Sequence, residues 1–301
     1  MKSHRPQYIG IFSLFFFMLF SDMVVLADDS LTMGIFTRRN SAVTINMFKP
    51  IANHIETTTG VRIKLETAKN FPSFWKNVTK HRYDISHFNQ LHYLISKELV
   101  SYEVFAKNEE FGRSDISPAI VVRKDSGINS LQDLKGKSII FGGGKLAMIS
   151  FIGPMNIIHD SGLNHSSFKT IMGKNPPNAA MAVFFKQADA AGLGDFGLSI
   201  PLIKNKMNTD ELKYLAVGKP QPHLPWVIKK SISPEIKQSI ITSMLALNKT
   251  KKGKQLLKKA GMTGLIPASD EEYNISRREY KKFKQNHPDH DQPNKPHSGH
   301  H

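Results

Sequence analysis

The chain has 301 residues, 41 lysines and arginines against 25 aspartates and glutamates, and a formal net charge of +16. That balance attracts anions, whether small ligands, nucleic acid or acidic membranes, and the length allows one large core or two smaller ones. Cysteine is absent, which excludes disulfides, thiolate nucleophiles and a lipid-modified cysteine.

Lys2 and Arg5 precede an apolar run from Ile9 to Phe20 with Phe15, Phe16 and Phe17 at its centre. Val25-Leu26-Ala27 follows, a small-x-small pattern. Residues 1–27 are therefore expected to be an export signal, with the mature chain starting near Asp28. The run is short for a membrane span, which needs about 20 apolar residues. An exported chain without cysteine is expected in a bacterial periplasm, where nucleic acid is not an expected partner.

From there strand and helix patterns alternate. Leu31 to Phe36 reads as a strand, Phe48 to Thr58 as a helix stopped by Gly60, and Val61 to Thr67 as a strand. Phe71 to Lys80 reads as a helix, Tyr83 to Phe88 as a strand, and Asn89 to Leu99 as a helix. Ile116 to Arg123 is a strong apolar strand, and Leu131 to Leu134 a short helix capped by Ser130.

Ser138 to Phe141 is β-rich and runs into Gly142, Gly143, Gly144 and Lys145, and Leu146 to His159 then reads as a helix. Glycines at such a turn let backbone approach a ligand, and a helix start offers unpaired N–H groups with a positive dipole end. Together they suit an anion, and Lys145 would add a full charge.

Phe168 to Met172 and Ala188 to Gly192 read as strands around a helix from Ala179 to Lys186, and Leu212 to Val217 as another strand. Ser233-Pro234 marks a helix start. Lys251 to Ala260 and Asp270 to Phe283 continue as helices, with a lysine run that reads as a solvated face. Residues 286–301, rich in Pro, Asn and His, are expected to be a disordered tail. The alternation argues for an α/β fold of parallel strands with helices on both faces.

The segment Ser117-Pro118-Ala119-Ile120-Val121-Val122-Arg123-Lys124-Asp125-Ser126-Gly127-Ile128, then Ser130-Leu131-Gln132-Asp133-Leu134-Lys135-Gly136-Lys137, then strand and glycine turn, resembles the periplasmic substrate-binding proteins of phosphate, phosphite and phosphonate ABC transporters. Tyr83-Asp84-Ile85-Ser86-His87-Phe88-Asn89-Gln90 is similar to that family's strand and turn at the ligand cleft. The resemblance covers Leu31 to Phe283. It implies a two-lobed type II periplasmic-binding fold, each lobe a mostly parallel sheet flanked by helices. The chain would cross a hinge near Ser114 to Pro118 and return near Gly218 to Pro225. Residues 28–117 with 218–285 would form lobe one and residues 118–217 lobe two, closing as a clamp. The pattern departs after Phe141. There phosphonate binders carry a serine- and threonine-rich loop whose hydroxyls hold the ligand's oxygens, and this chain has glycines and Lys145.

Candidate ligand residues are Phe36, Arg38 and Arg39 after the first strand, where arginine can clamp an oxyanion. Asn89, Gln90, His92 and Tyr93 follow the third strand, and Gly142, Gly143, Gly144 and Lys145 form the glycine turn. Asp195, after the small-residue strand, lies where the family's acidic residue can face a ligand amino group. His81, His87 and His92 are spaced poorly for one helix face, so no metal site is expected. The expected function is capture of a small anionic solute, phosphonate- or phosphate-like, by a monomer that delivers it to an ABC permease. The alternative is a sensor presenting its bound form to a membrane receptor. No enzyme chemistry and no cofactor are expected.

Overall fold

The computed structural model describes residues 30–288 apart from Arg38. The expected leader, Arg38 and nearly all of the expected histidine-rich tail lie outside the described residues.

β1 (Leu31–Ile35), α1 (Ser41–Thr59), β2 (Ile63–Thr67), α2 (Phe71–Thr79), β3 (Ile85–His87), α3 (Gln90–Val100) and β4 (Tyr102–Glu109) form the first half of one layer. β5 (Asp115–Ile116) leads into β6 (Pro118–Arg123), β7 (Ser138–Gly142), α4 (Gly153–Asp160), β8 (Lys169–Gly173), α5 (Pro176–Phe184), β9 (Ala190–Gly194), α6 (Pro201–Lys204) and β10 (Leu212–Val217). A π turn, Met148–Ile152, opens the helix that continues as α4. The chain returns through β11 (Gln221–Pro222) to β12 (Pro225–Lys229), α7 (Pro234–Ala246), α8 (Lys251–Lys259), β13 (Gly264–Pro267) and α9 (Asn274–Asn286).

Two sheets result. One has the order β13-β4-β12-β3-β1-β2 and the other β10-β6-β9-β7-β8. Only β2-β1-β3 and β8-β7-β9 are parallel, and β12, β4, β13, β6 and β10 enter antiparallel. The sheets are thus mixed, where the alternation suggested mostly parallel strands. Parallel pairing needs a long crossover, and the parallel strands here are those joined through helices.

β4, β12 and β13 are legible only afterwards. Their sequences, YEVFAKNE, PWVIK and GLIP, are short or polar on alternate residues, yet β4 and β12 sit in the interior of the sheet. α1 starts seven residues before the expected Phe48. Asn40 Oδ1 accepts the N–H of Val43 at 2.9 Å, and the interior Pro50, a local breaker, hides the continuity. The stop is as expected, with Gly60 left-handed at φ +74°.

The lobes have separate outer cores, one around Met33, Ile51, Ile55, Trp226 and Leu265, the other around Val121, Val183, Leu193 and Ile203. A third cluster runs from Phe74 and Tyr83 to Phe141 and Phe151 and joins the layers. α9 carries part of that connection. Phe283 meets the Phe151 ring edge-on at 5.6 Å, Asn156 Nδ2 donates to the Glu279 carbonyl at 2.9 Å, and Tyr273 Oη donates to the His223 carbonyl at 2.8 Å. The last helix therefore rests on both layers and not on lobe one alone. No helix among the described residues is long and apolar enough to cross a membrane.

Candidate functional site

The two sheets meet where β5 pairs antiparallel with β11, Ile116 opposite Gln221 and Asp115 opposite Pro222. Gly218 N–H donates to the Pro118 carbonyl at 2.7 Å and His223 N–H to the Ser114 carbonyl at 3.0 Å. Two chain crossings pinned this way leave a cleft between the layers, with a volume of about 110 Å³. Phe36, Arg39, Phe71, Asn89, Gln90, His223 and Leu224 line it from the first layer. Gly143, Ala147 to Ser150, Pro176, Pro177, Gly194, Phe196, Gly197 and Ile200 line it from the second, with Ile116 at the hinge.

On the second layer the glycine turn shapes the wall. A Cβ on Gly142 would lie 2.4 Å from the Pro176 nitrogen, so only glycine lets the start of α5 pack against β7. Gly143 and Gly144 have φ of +91° and +80°, which L-residues resist. The turn delivers the chain to Ala147, whose extended backbone precedes the π turn with no side-chain cap. Ala147 N–H donates to the Gly144 carbonyl at 3.1 Å. The next three N–H groups, on Met148, Ile149 and Ser150, are first-turn donors without an intrahelical acceptor, and all three residues line the cleft. Ser150 Oγ donates to the Gly142 carbonyl at 2.5 Å, which ties the helix start to the end of β7.

On the first layer the side chains are tied down from behind. Asn89 Oδ1 accepts the N–H groups of Leu91 at 2.8 Å and His92 at 3.2 Å, capping α3. That fixes the amide, so Nδ2 donates to His92 Nδ1 at 3.0 Å. His92 must then carry its proton on Nε2. It is fully buried, stacked 5.3 Å from Trp75, and burial pushes its pKa down to about 3. Gln90 Nε2 donates to the Pro222 carbonyl at 2.9 Å, so Gln90 joins α3 to the hinge. His223 Nδ1 accepts Leu224 N–H at 2.8 Å, its ring stacks on Phe196 at 5.6 Å, and Nε2 faces Glu110 Oε2 at 3.8 Å.

Of the expected residues, Phe36, Arg39, Asn89, Gln90 and Gly143 come together at the cleft, and Arg38 is outside the described residues. Gly142 and Gly144 shape the turn without lining the cleft. Lys145 is exposed and is not among the lining residues. His92 lies beneath Asn89 and orients it. Tyr93 is buried against Tyr273 and donates to Asp270 at 2.5 Å; burial first, then that bond, pushes its phenol pKa up. Asp195 does not face the cleft. It accepts Arg113 Nη1 at 2.7 Å and Ser117 N–H at 3.2 Å, so it fastens the hinge.

Sequence reasoning missed Ser150, Phe71, Phe196, Pro176 and His223. Ser150, inside the expected helix, carried the one signal available, a hydroxyl near a helix start; the others reach the cleft only through tertiary folding. Among the described residues no group of three or more His, Asp or Glu side chains could hold a metal ion.

Residues 33–273 match the family of periplasmic substrate-binding proteins of phosphonate ABC transporters. The chain is 25% identical over 251 residues to the phosphonates-binding periplasmic protein of Escherichia coli K12, covering 81% of this chain and 73% of that one. It is similar in fold to a binding component of a phosphonate ABC transporter from Pseudomonas aeruginosa, with a TM-score of 0.75, 17% identity and coverage of 87% and 89%. A methylphosphonate-bound protein from Prochlorococcus marinus gives a TM-score of 0.76 at 18% identity, covering 86% of this chain and all of that one. With a two-layer α/β fold, a double hinge crossing and a family match over most of its length, this chain belongs to the periplasmic substrate-binding proteins of phosphonate ABC transporters.

Proposed function

We propose that this protein captures a small phosphorus oxyanion of the phosphonate class in the periplasm and delivers it to an ABC permease. The observation that carries the reading is the uncapped helix start at Met148, Ile149 and Ser150, three residues with first-turn backbone donors that all line the cleft. Arg39 adds a guanidinium from the opposite layer, so an anion would bridge the two lobes and favour their closure. The backbone donors replace the hydroxyl-rich loop of related binders. The ligand is held and released unchanged, which is the role of a binding protein and not of an enzyme.

Titration calorimetry with methylphosphonate, inorganic phosphate and phosphite tests this. Saturable binding of at least one is expected, with a smaller radius of gyration in solution scattering when bound. Arg39→Ala should weaken that binding about ten- to a hundredfold, the loss of one charge-assisted bond of roughly 1.5–3 kcal/mol. Absence of binding by all three, in correctly folded protein, would overturn the reading.

A further inference from the structure

One residue of the cleft lining carries a buried acceptor with no donor. Gln90 is fully buried and lines the cleft. Its Nε2 donates to the Pro222 carbonyl, which can only accept, so the amide cannot be turned around. Gln90 Oε1 is thereby fixed as an acceptor, and it is buried without a hydrogen-bond partner. Leaving such an atom unpaired costs about 1–3 kcal/mol. A ligand that brings a proton to it recovers that cost.

The opposite wall favours negative charge at the open helix start, and Arg39 brings a positive charge to the same cleft. A ligand that is anionic on its oxygens yet still carries one O–H answers both. A phosphonate monoanion has that combination, whereas a sulfonate at neutral pH is fully ionised and has no proton to give.

The remaining wall determines what the phosphorus can carry. Phe36, Phe71, Met148, Phe196, Ile200 and Leu224 line it, and no carboxylate is among the described lining residues. Asp195 is held by Arg113 and Ser117 N–H, and Glu110 lies behind His223 at 3.8 Å. An ammonium placed here would lose its water against aromatic and aliphatic side chains, facing the like charge of Arg39, with no counter-ion.

Resting on the proposed oxyanion reading, we propose that the cleft selects a singly protonated organophosphonate with an uncharged, apolar substituent, Gln90 Oε1 accepting its P–OH proton. Gln90 is then a specificity-determining residue that tells phosphonate from sulfonate, and the apolar wall tells alkyl from aminoalkyl.

The test is calorimetry on the mature protein with propylphosphonate, 2-aminoethylphosphonate, propane-1-sulfonate and inorganic phosphate. Propylphosphonate should bind at least about tenfold more tightly than each of the others: than the sulfonate because a site built to pair a proton rejects an analogue lacking it, than the aminoethyl compound because its ammonium finds no counter-ion on the apolar wall, and than phosphate because phosphate has no apolar substituent to bury. Its affinity should fall as pH rises through the second ionisation of the phosphonate, while the affinity for the sulfonate stays level. Gln90→Leu should bring the phosphonate-to-sulfonate ratio toward one, where a purely structural role would weaken both alike. The wild-type pH profile decides the question if that variant does not fold. Equal or tighter binding of the aminoethyl compound or the sulfonate, or a flat pH profile for propylphosphonate, overturns this inference and leaves the oxyanion reading standing. Binding of none of the four sinks both.

Discussion

Three of the helix starts that border the cleft are built in two ways. α3 begins under Asn89, whose Oδ1 takes two backbone N–H groups. α5 begins under Asn175, which accepts Asn178 N–H at 2.9 Å, and its first two residues are prolines without N–H groups. The start at Met148 follows Ala147 and has no side-chain cap. The starts of α3 and α5 are closed by the protein itself, and the start at Met148 carries no such cap. An N-cap is worth about 0.5–2 kcal/mol, so forgoing one at Ala147 gives up stability at the position where a bound anion would restore it.

Filling the vacancy should produce the largest effect. Ala147→Asp places a carboxylate at the N-cap, where Ala147 already has the extended backbone a cap requires. Oxyanion binding should fall by roughly a hundredfold or more as two charge-assisted bonds are lost. Thermal stability of the unliganded protein should rise. Retained affinity, measured by calorimetry, would mean that the anion sits elsewhere.

The closed start at α3 is sensitive to acid through His92. The unfolded chain binds a proton there near pH 6.5, and the folded protein only near pH 3. Stability from neutral burial is therefore intact above pH 6.5 and is lost as pH falls toward 3, by about 1.4 kcal/mol per pH unit. Protonation at Nδ1 would also break the bond from Asn89 Nδ2 that holds the cap residue in place. Denaturant titrations at pH 7, 6, 5 and 4 should show a shallower pH slope for His92→Gln than for wild type. Identical slopes would show that the site stays hydrated.

Opening the closed start is the converse of filling the open one. Asn89→Ala should cost about 1 kcal/mol of unfolding free energy, within the 0.5–2 kcal/mol range for caps, whereas Ala147→Asp should move stability the other way. A shift of the same sign in both would dissolve the contrast between the two starts.

The smallest effect is expected at Lys145. It is exposed, and a solvated charge is worth about 0.2–1 kcal/mol, so Lys145→Ala should change affinity less than about fivefold. A larger loss would show that the lysine swings into the cleft on closure.

The strands and helices that sequence alone revealed were those with local punctuation. Ser233-Pro234, Asn89 and Gly60 all do structurally what their residue types predict. The elements that stayed hidden, β4 and β12, take their stability from neighbours on both sides, and no local signal announces a strand that the sheet itself completes. The site divides in the same manner. Gly143 and Gln90 could be picked from their place after a strand. That Lys145 is exposed while Ser150 lines the cleft depends on how the turn and the helix start are packed in the fold, which residue type does not encode.

Composition, the absence of cysteine, the strand–helix alternation and the stretch from Ser117 to Lys137 were enough to determine the fold class and point to the family, because those properties are local or additive along the chain. Tertiary structure alone decided which donors are vacant. Arg113 bonds to Asp195 and Asp270 to Tyr93, pairings that no local sequence signal shows. Gln90 Oε1 became informative only because Pro222, 132 residues away in sequence, occupies the other end of its amide. A hydrogen-bonding group can contribute to binding only after the fold's own demands are met, and those partners come from distant parts of the chain.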